Sequence, residues 1–210
     1  MKKNLIVFIA HIDDFECACY GYIFKHHKEY EKIRIITATT WAKKLPVWEE
    51  NLKLFPKHIL DKIEDINLGF FQRQLQTNFD DLKDQFYKLI NFDIRFDILT
   101  HDENDCHTDH TALFKAAKGM YKYCNRFITI YSPSSAHFNP NYYIGLPEDV
   151  YSLKKVALDK YDITKDQSYT KLGYYLQSEE HYNIGRAHVL ENYVFDDYKN
   201  YEIYKIIKWL

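Results

Sequence analysis

The run Leu5-Ile6-Val7-Phe8-Ile9-Ala10 is apolar at every position. It is too short to cross a membrane and has the length of a buried strand. Apolar residues on both faces mark a central strand of a parallel sheet covered by helices. The period then changes. Phe15 to about His27 reads as a helix, with Asp13 or Asp14 as its N-cap, because a carboxylate there accepts orphan backbone N–H groups. Lys32 to Thr40 is alternating and β-branched, which predicts a second strand. Trp48 to Ile59 has helical spacing, with a kink or stop at Pro56. Asp65–Phe70 predicts a short third strand. Asp80–Phe92 predicts a helix with Leu82, Phe86, Leu89 and Ile90 on one face. A fourth strand follows at 96–100, a helix from about Asp109 to Tyr123, and a fifth strand at Arg126–Tyr131. Strands alternating with helices predict an α/β fold: a Rossmann-like, doubly wound, mostly parallel sheet with helices on both faces and a site at the carboxyl ends of the strands.

The last third is less regular. Pro133, Pro140 and Pro147 punctuate a stretch in which Asn141–Ile144 reads as an extra strand or hairpin. Val150–Tyr161 reads as a helix, and residues 162–185 show no clear period. No linker, repeat or low-complexity tract divides the chain, so residues 1–210 are expected to form a single domain. Hydrophobic content of 46% and charged content of 28% fit a soluble globular protein. A net charge of -2 argues against a nucleic-acid binder. Met1-Lys2-Lys3 leads into a short apolar run without a small-residue cleavage site, and no membrane span is expected. Cys17, Cys19, Cys106 and Cys124 do not make a disulfide framework in a chain of this size, so reduced thiols and a cytoplasmic location are expected.

Chemistry concentrates at two strand ends. His11-Ile12-Asp13-Asp14 follows the first strand, and His107-Thr108-Asp109-His110 follows the fourth. Asp13, Asp14, Thr108 and Asp109 are all good helix caps, and either cluster alone would read as capping. Two clusters on one sheet edge, each mixing His with Asp, point instead to a metal site assembled from separate loops. His11, Asp14 and His110 supply two imidazoles and a carboxylate, a set used by catalytic zinc and also by non-heme iron, so Zn2+ and Fe2+ both remain open. Asp13 is a candidate general base for a metal-activated water. His107, if not itself a ligand, could stabilise an oxyanion or protonate a leaving amine as an imidazolium, with Asp109 orienting it. His101 is a candidate pocket-lining residue and Tyr142 a candidate pocket wall on a loop. His26-His27, at a predicted helix end, reads as solvated surface favoured by the dipole. Trp48 reads as helix–sheet packing.

These residues also resemble a known family. Ala10-His11-Ile12-Asp13-Asp14-Phe15-Glu16, followed by Gly21 and Ile23, resembles the AHPDD-x-E…G-x-I signature of the PIG-L/LmbE-type zinc-dependent N-deacetylases. His107-Thr108-Asp109-His110 resembles that family's H-P-D-H, and Leu68-Gly69-Phe70 its L-G-F/Y strand end. Gly185-Arg186 through Glu191-Asn192-Tyr193 resembles its C-terminal G…A-E-x-F stretch. The resemblance implies metal ligation by His11, Asp14 and His110, with one zinc per chain. It implies Asp13 as general base, and His107 supported by Asp109 at the oxyanion or leaving amine. The implied reaction removes an N-acetyl group from an amino sugar, sugar nucleotide or glycoconjugate. The implied partner is that small molecule, with no nucleic acid; a homo-oligomer is compatible. Gln72 and Arg73 stand where the family often has Asp, and join His101 and Tyr142 as candidate substrate contacts. Ile12 and Thr108 replace proline, Cys17-Ala18-Cys19-Tyr20 replaces a glycine-rich helix start, and the usual Ser-Gln is absent after Tyr161. Two alternatives stand beside this reading: hydrolysis of another small N-acylated amine, and a non-catalytic α/β binding domain.

Overall fold

Alternate residues of β1 (Lys3–Ile9) face opposite sides of the sheet, and both sides are apolar, so the strand needs cover on each. The computed structural model describes residues 3–135, 137–162 and 200–208 and provides that cover. β1 pairs in parallel with β2 (Tyr30–Thr39) and β4 (Phe96–Thr100). β3 (Ile63–Phe70) adds in parallel outside β2, and β5 (Phe127–Ile130) outside β4. β7 (Asn200–Lys208) runs antiparallel to β5, and β6 (Tyr142–Leu146) antiparallel to β7. The seven-stranded order is β3-β2-β1-β4-β5-β7-β6.

On one face Leu5, Val7 and Ile9 pack with Phe15, Tyr20, Trp48 and Tyr161. These come from α1 (Ile12–Ala18), α2 (Tyr20–His26), α3 (Leu45–Leu52) and α7 (Glu148–Asp162). On the other face Ile6 and Phe8 pack with Leu82 and Phe86 of α5 (Phe79–Leu89) and Leu113 and Phe114 of α6 (Thr108–Lys118). The five parallel strands fall within two residues of where the hydrophobic pattern predicts them. Trp48 packs as expected, fully buried against Phe15 with its indole N–H on Asp65. Pro56 ends the helical stretch as expected: α3 stops at Leu52, and α4 (Lys57–Leu60) starts just after the proline.

Four expectations change. The helix predicted from Phe15 starts at Ile12, and its N-cap is His11; Asp14 sits one turn inside and accepts the His11 N–H at 2.8 Å. That helix also breaks at Cys19 into α1 and α2. The break is held by a buried pair, in which Lys154 donates to Cys17 O at 2.6 Å and to Glu202 Oε1 at 3.0 Å, while Glu202 Oε2 accepts the Gly21 N–H at 2.7 Å. His26 is half-buried and His27 buried, so neither is the solvated surface expected: His26 lies between Glu29 and Tyr142, and His27 against Phe24. Finally, β7 has no counterpart in the sequence reading, and it separates β5 from β6. The resemblance at Gly185–Tyr193 lies outside the described residues, as do residues 163–185. Among the described residues no helix is long and apolar enough to cross a membrane.

Candidate functional site

β1 and β4 are neighbours in register, with Val7 opposite Leu99, so both chains leave the sheet at the same place. His11 caps α1, whose first turn carries Asp13 and Asp14, and the loop from β4 runs over 101–107 to α6, whose first turn carries Asp109 and His110. A cavity of about 340 Å³, within the range of small-molecule sites, opens between them. His11, Asp13, Asp14, His107 and His110 line it, with Gln72, Trp41 and Lys44 on the wall.

Three atoms form a nearly equilateral triangle. His11 Nδ1 lies 3.2 Å from Asp14 Oδ2 and 3.2 Å from His110 Nε2, and His110 Nε2 lies 3.3 Å from Asp14 Oδ2. A tetrahedral ion with ligands at about 2.0–2.1 Å needs ligand–ligand edges of about 3.3–3.4 Å. The triangle therefore has the size of one face of such an ion. The remaining imidazole nitrogens are also bound: His11 Nε2 to Asp109 Oδ2 at 3.3 Å, and His110 Nδ1 to Asp105 Oδ2 at 2.9 Å. A carboxylate behind each imidazole fixes its tautomer, aims the other nitrogen at the triangle and makes it more basic.

Charge balance agrees with this arrangement. Burial alone would lower the pKa of both histidines, but the carboxylates outweigh it. Asp14 and Asp109 raise His11 to about 9, and Asp14 and Asp105 raise His110 to about 10. Burial would raise Asp14, but His110, His101 and His11 hold it well below the usual carboxylate range. The cluster thus demands positive charge at its centre, which protons or a divalent ion can supply.

Two further groupings place three ligand atoms within 4.8 Å of one another: His11–His107–His110 and Asp14–His101–His110. The second has a competing bond, because His101 Nε2 already accepts the Ala10 N–H at 3.0 Å. His101 is fully buried and stacks on His110 with ring centroids 3.8 Å apart, so it supports that ring and does not face the cavity as expected for a substrate contact. Burial first, then the neighbouring His110, lowers its pKa to about 4, which makes it a neutral ring.

Asp109 bonds His107 through its backbone and not through its carboxylate. Its carboxylate is turned to His11 and receives the Arg73 and Leu75 N–H groups at 2.6 and 3.3 Å. It is the backbone N–H of Asp109 that meets His107, donating to Nδ1 at 3.2 Å. That bond assigns the proton of His107 to Nε2. Burial first, then His110 and His11, lower the pKa of His107, which disfavours the expected imidazolium; in the neutral ring Nε2–H is the donor. Gln72 lines the cavity, whereas Arg73, in the left-handed region at φ 63°, contributes its backbone N–H to Asp109. Tyr142 lies elsewhere: it starts β6, and its hydroxyl bonds His26 Nε2 at 2.7 Å, in the region of Glu29 and Arg126 near the amino ends of the parallel strands.

Sequence reasoning missed two residues. Asp105 is a hub for His110 Nδ1, the His107 N–H and the Ser132 and Ser134 hydroxyls, and it joins the β4–α6 loop to the loop after β5. Lys44 places Nζ 3.1 Å from Asp13 Oδ1.

No protein-family model matches the chain, and no curated protein matches it in sequence. Solved structures do match in shape. The N,N'-diacetylchitobiose deacetylase of Pyrococcus horikoshii superposes with a TM-score of 0.67 at 15% identity, covering 98% of this chain and 84% of that one. A deacetylase of the teicoplanin biosynthesis pathway gives 0.66 at 11%, covering 97% and 98%. The 4-carboxy-2-hydroxymuconate hydratase GalB of Pseudomonas putida KT2440 gives 0.66 at 14%, covering 99% and 96%. The chain therefore shares, over nearly its whole length, a fold that carries both amide hydrolysis and hydration, so the chemistry must be argued from its site.

Proposed function

We propose that this chain is a metal-dependent hydrolase that removes the N-acetyl group from an amino sugar, sugar nucleotide or glycoconjugate. The observation that carries the proposal is the His11–Asp14–His110 triangle, with edges of 3.2–3.3 Å, in one cavity with Asp13 and His107. Zinc, one per chain, is the ion we assign to this set, with Fe2+ as the alternative. When bound there, the ion supplies a Lewis acid and lowers the pKa of water.

The chain's own residues supply the proton handling. Asp13 takes a proton from the attacking water as the water oxygen bonds to the acetyl carbonyl carbon. The Nε2–H of His107 donates to the carbonyl oxygen, where negative charge develops. Asp13 returns the proton to the nitrogen as the C–N bond breaks, leaving acetate and a free amine. The deacetylase neighbours support this reading, and the hydratase neighbour gives the alternative that the cavity adds water across a carbon–carbon double bond.

The test incubates protein loaded with Zn2+ or Fe2+ with a panel of N-acetyl sugars, sugar nucleotides and glycoconjugates, and detects new primary amine and acetate. Asp14→Ala should lose metal and activity together. Asp13→Asn should keep its metal and lose about 10²–10⁴ in kcat. Release of no amine across the panel by metal-replete protein rejects the reading.

A further inference from the structure

Lys44 occupies the turn between β2 and α3, where its C=O accepts the Trp48 N–H at 3.0 Å. Its side chain is 3% exposed, although Lys43 beside it is exposed. Lysine is almost never so buried without a partner, because an ammonium removed from water needs its charge met. Here Nζ stands 3.1 Å from Asp13 Oδ1 and 4.2 Å from the centroid of the Trp41 ring. All three residues line the same cavity.

We propose that Lys44 is the positioning residue of Asp13: held against Trp41, it fixes Oδ1 of that carboxylate and so sets where the other oxygen points. The inference rests on the function proposed above. Asp14 is oriented by the His11 N–H and by neighbouring imidazoles. Asp13 lies in the same helical turn, where the backbone fixes only its Cβ and two torsions remain for the carboxylate. The ion pair with Lys44 restrains that freedom, and because a carboxylate is planar, holding Oδ1 orients Oδ2. It also offsets the repulsion between two adjacent carboxylates in a partly dry cavity. A general base must lie within hydrogen-bond reach of its proton, and a displacement of ~1 Å costs about 10²-fold in rate.

Lys44→Met keeps an unbranched stem on Trp41 and removes the ammonium. The full-length metal-loaded variant should keep its metal, lose about 10- to 100-fold in kcat and change little in KM. Lys44→Arg should recover part of the loss. In the Asp13→Asn background Lys44→Met should have no further effect, because it acts through that residue. An equal loss in both backgrounds overturns the inference, as does loss of metal from Lys44→Met. If Lys44→Met does not fold, Lys44→Gln carries the same comparison. If the wild type releases no amine from any substrate, the functional reading fails, and crystal structures then decide the inference separately. A changed Asp13 side-chain torsion in the variant supports it, and the wild-type torsion retained overturns it.

Discussion

At the scale of single residues, the site depends on carboxylates that never reach the cavity centre. Asp105 accepts the His110 Nδ1–H at 2.9 Å and fixes which nitrogen His110 presents. Asp105→Asn keeps the shape of the hub and removes its charge. Metal affinity should fall about 10- to 100-fold, measured by competition with a chromophoric chelator. Unchanged affinity would remove Asp105 from any role in metal binding. The two His-Asp clusters were legible because each stands between a strand and the next helix, where chain order alone predicts an edge position. Asp105 was not, since it ends the polar run Asp102-Glu103-Asn104-Asp105, and nothing local marks which acid reaches His110. Lys44 shows the same limit: Lys43 and Lys44 are identical neighbours, and only the fold buries the second. The sequence pairs Asp109 with nearby His107, whereas the β1–β4 register brings it His11 from 98 positions away.

At the scale of elements, the break between α1 and α2 is a designed junction. The ends of two short helices meet there, and Lys154 and Glu202 cap them from α7 and β7. A cation near carbonyls ending one helix and a carboxylate near N–H groups starting the next both follow the helix dipole. Both side chains are buried, at 5% and 3% exposure, so removing Lys154 takes from Glu202 a counter-charge it has there. Lys154→Met should destabilise the fold by about 3–5 kcal/mol in chemical denaturation, and adding Glu202→Gln should recover much of that loss. If the double variant is no better than the single, the pair is not coupled. Gly21 belongs to this junction too. A Cβ there would meet Leu146 Cδ2 at 2.4 Å and Glu202 Oε2 at 2.8 Å, so Gly21→Ala should cost about 1–3 kcal/mol by overpacking, read from the same denaturation curves. The parallel strands were legible because their apolar runs are continuous or strictly alternating. β7 was not, because Asn200–Lys208 interleaves lysines and tyrosines with its apolar residues, and its place between β5 and β6 is set by pairing across the chain.

At the scale of the whole molecule, the buried charges of the site make stability depend on pH, and the sign can be worked out. His11 and His110 are raised from 6.5 to about 9 and about 10, because the carboxylates around them outweigh burial. A raised histidine pKa adds stability that is fully present below the unfolded value and is lost as pH rises through the folded one. Glu16 adds the same sign: burial, opposed by bonds from Asn51 and Tyr161, raises it to about 8, so the folded state keeps a proton that the unfolded chain has released. Asp14 and Asp105 work on the acid side, where their lowered pKa values give stability that is lost as pH falls below the ordinary carboxylate range. Burial lowers His101 and His107, which removes stability as pH falls below their unfolded value, so metal-free protein should be most stable near pH 6.5 and its Tm should fall steadily from there to about pH 10. A divalent ion at the triangle takes the place of the histidine protons. Binding then releases up to two protons, and the affinity should rise with pH by up to about a hundredfold per unit below pH 9. Two measurements check this: Tm against pH with and without zinc, and calorimetry in buffers of different ionisation enthalpy to count the released protons. The zinc-induced rise in Tm should be larger at pH 8 than at pH 6. A pH-independent rise with no proton release would show that the ion binds away from His11 and His110, and the assignment of the triangle would fall with it.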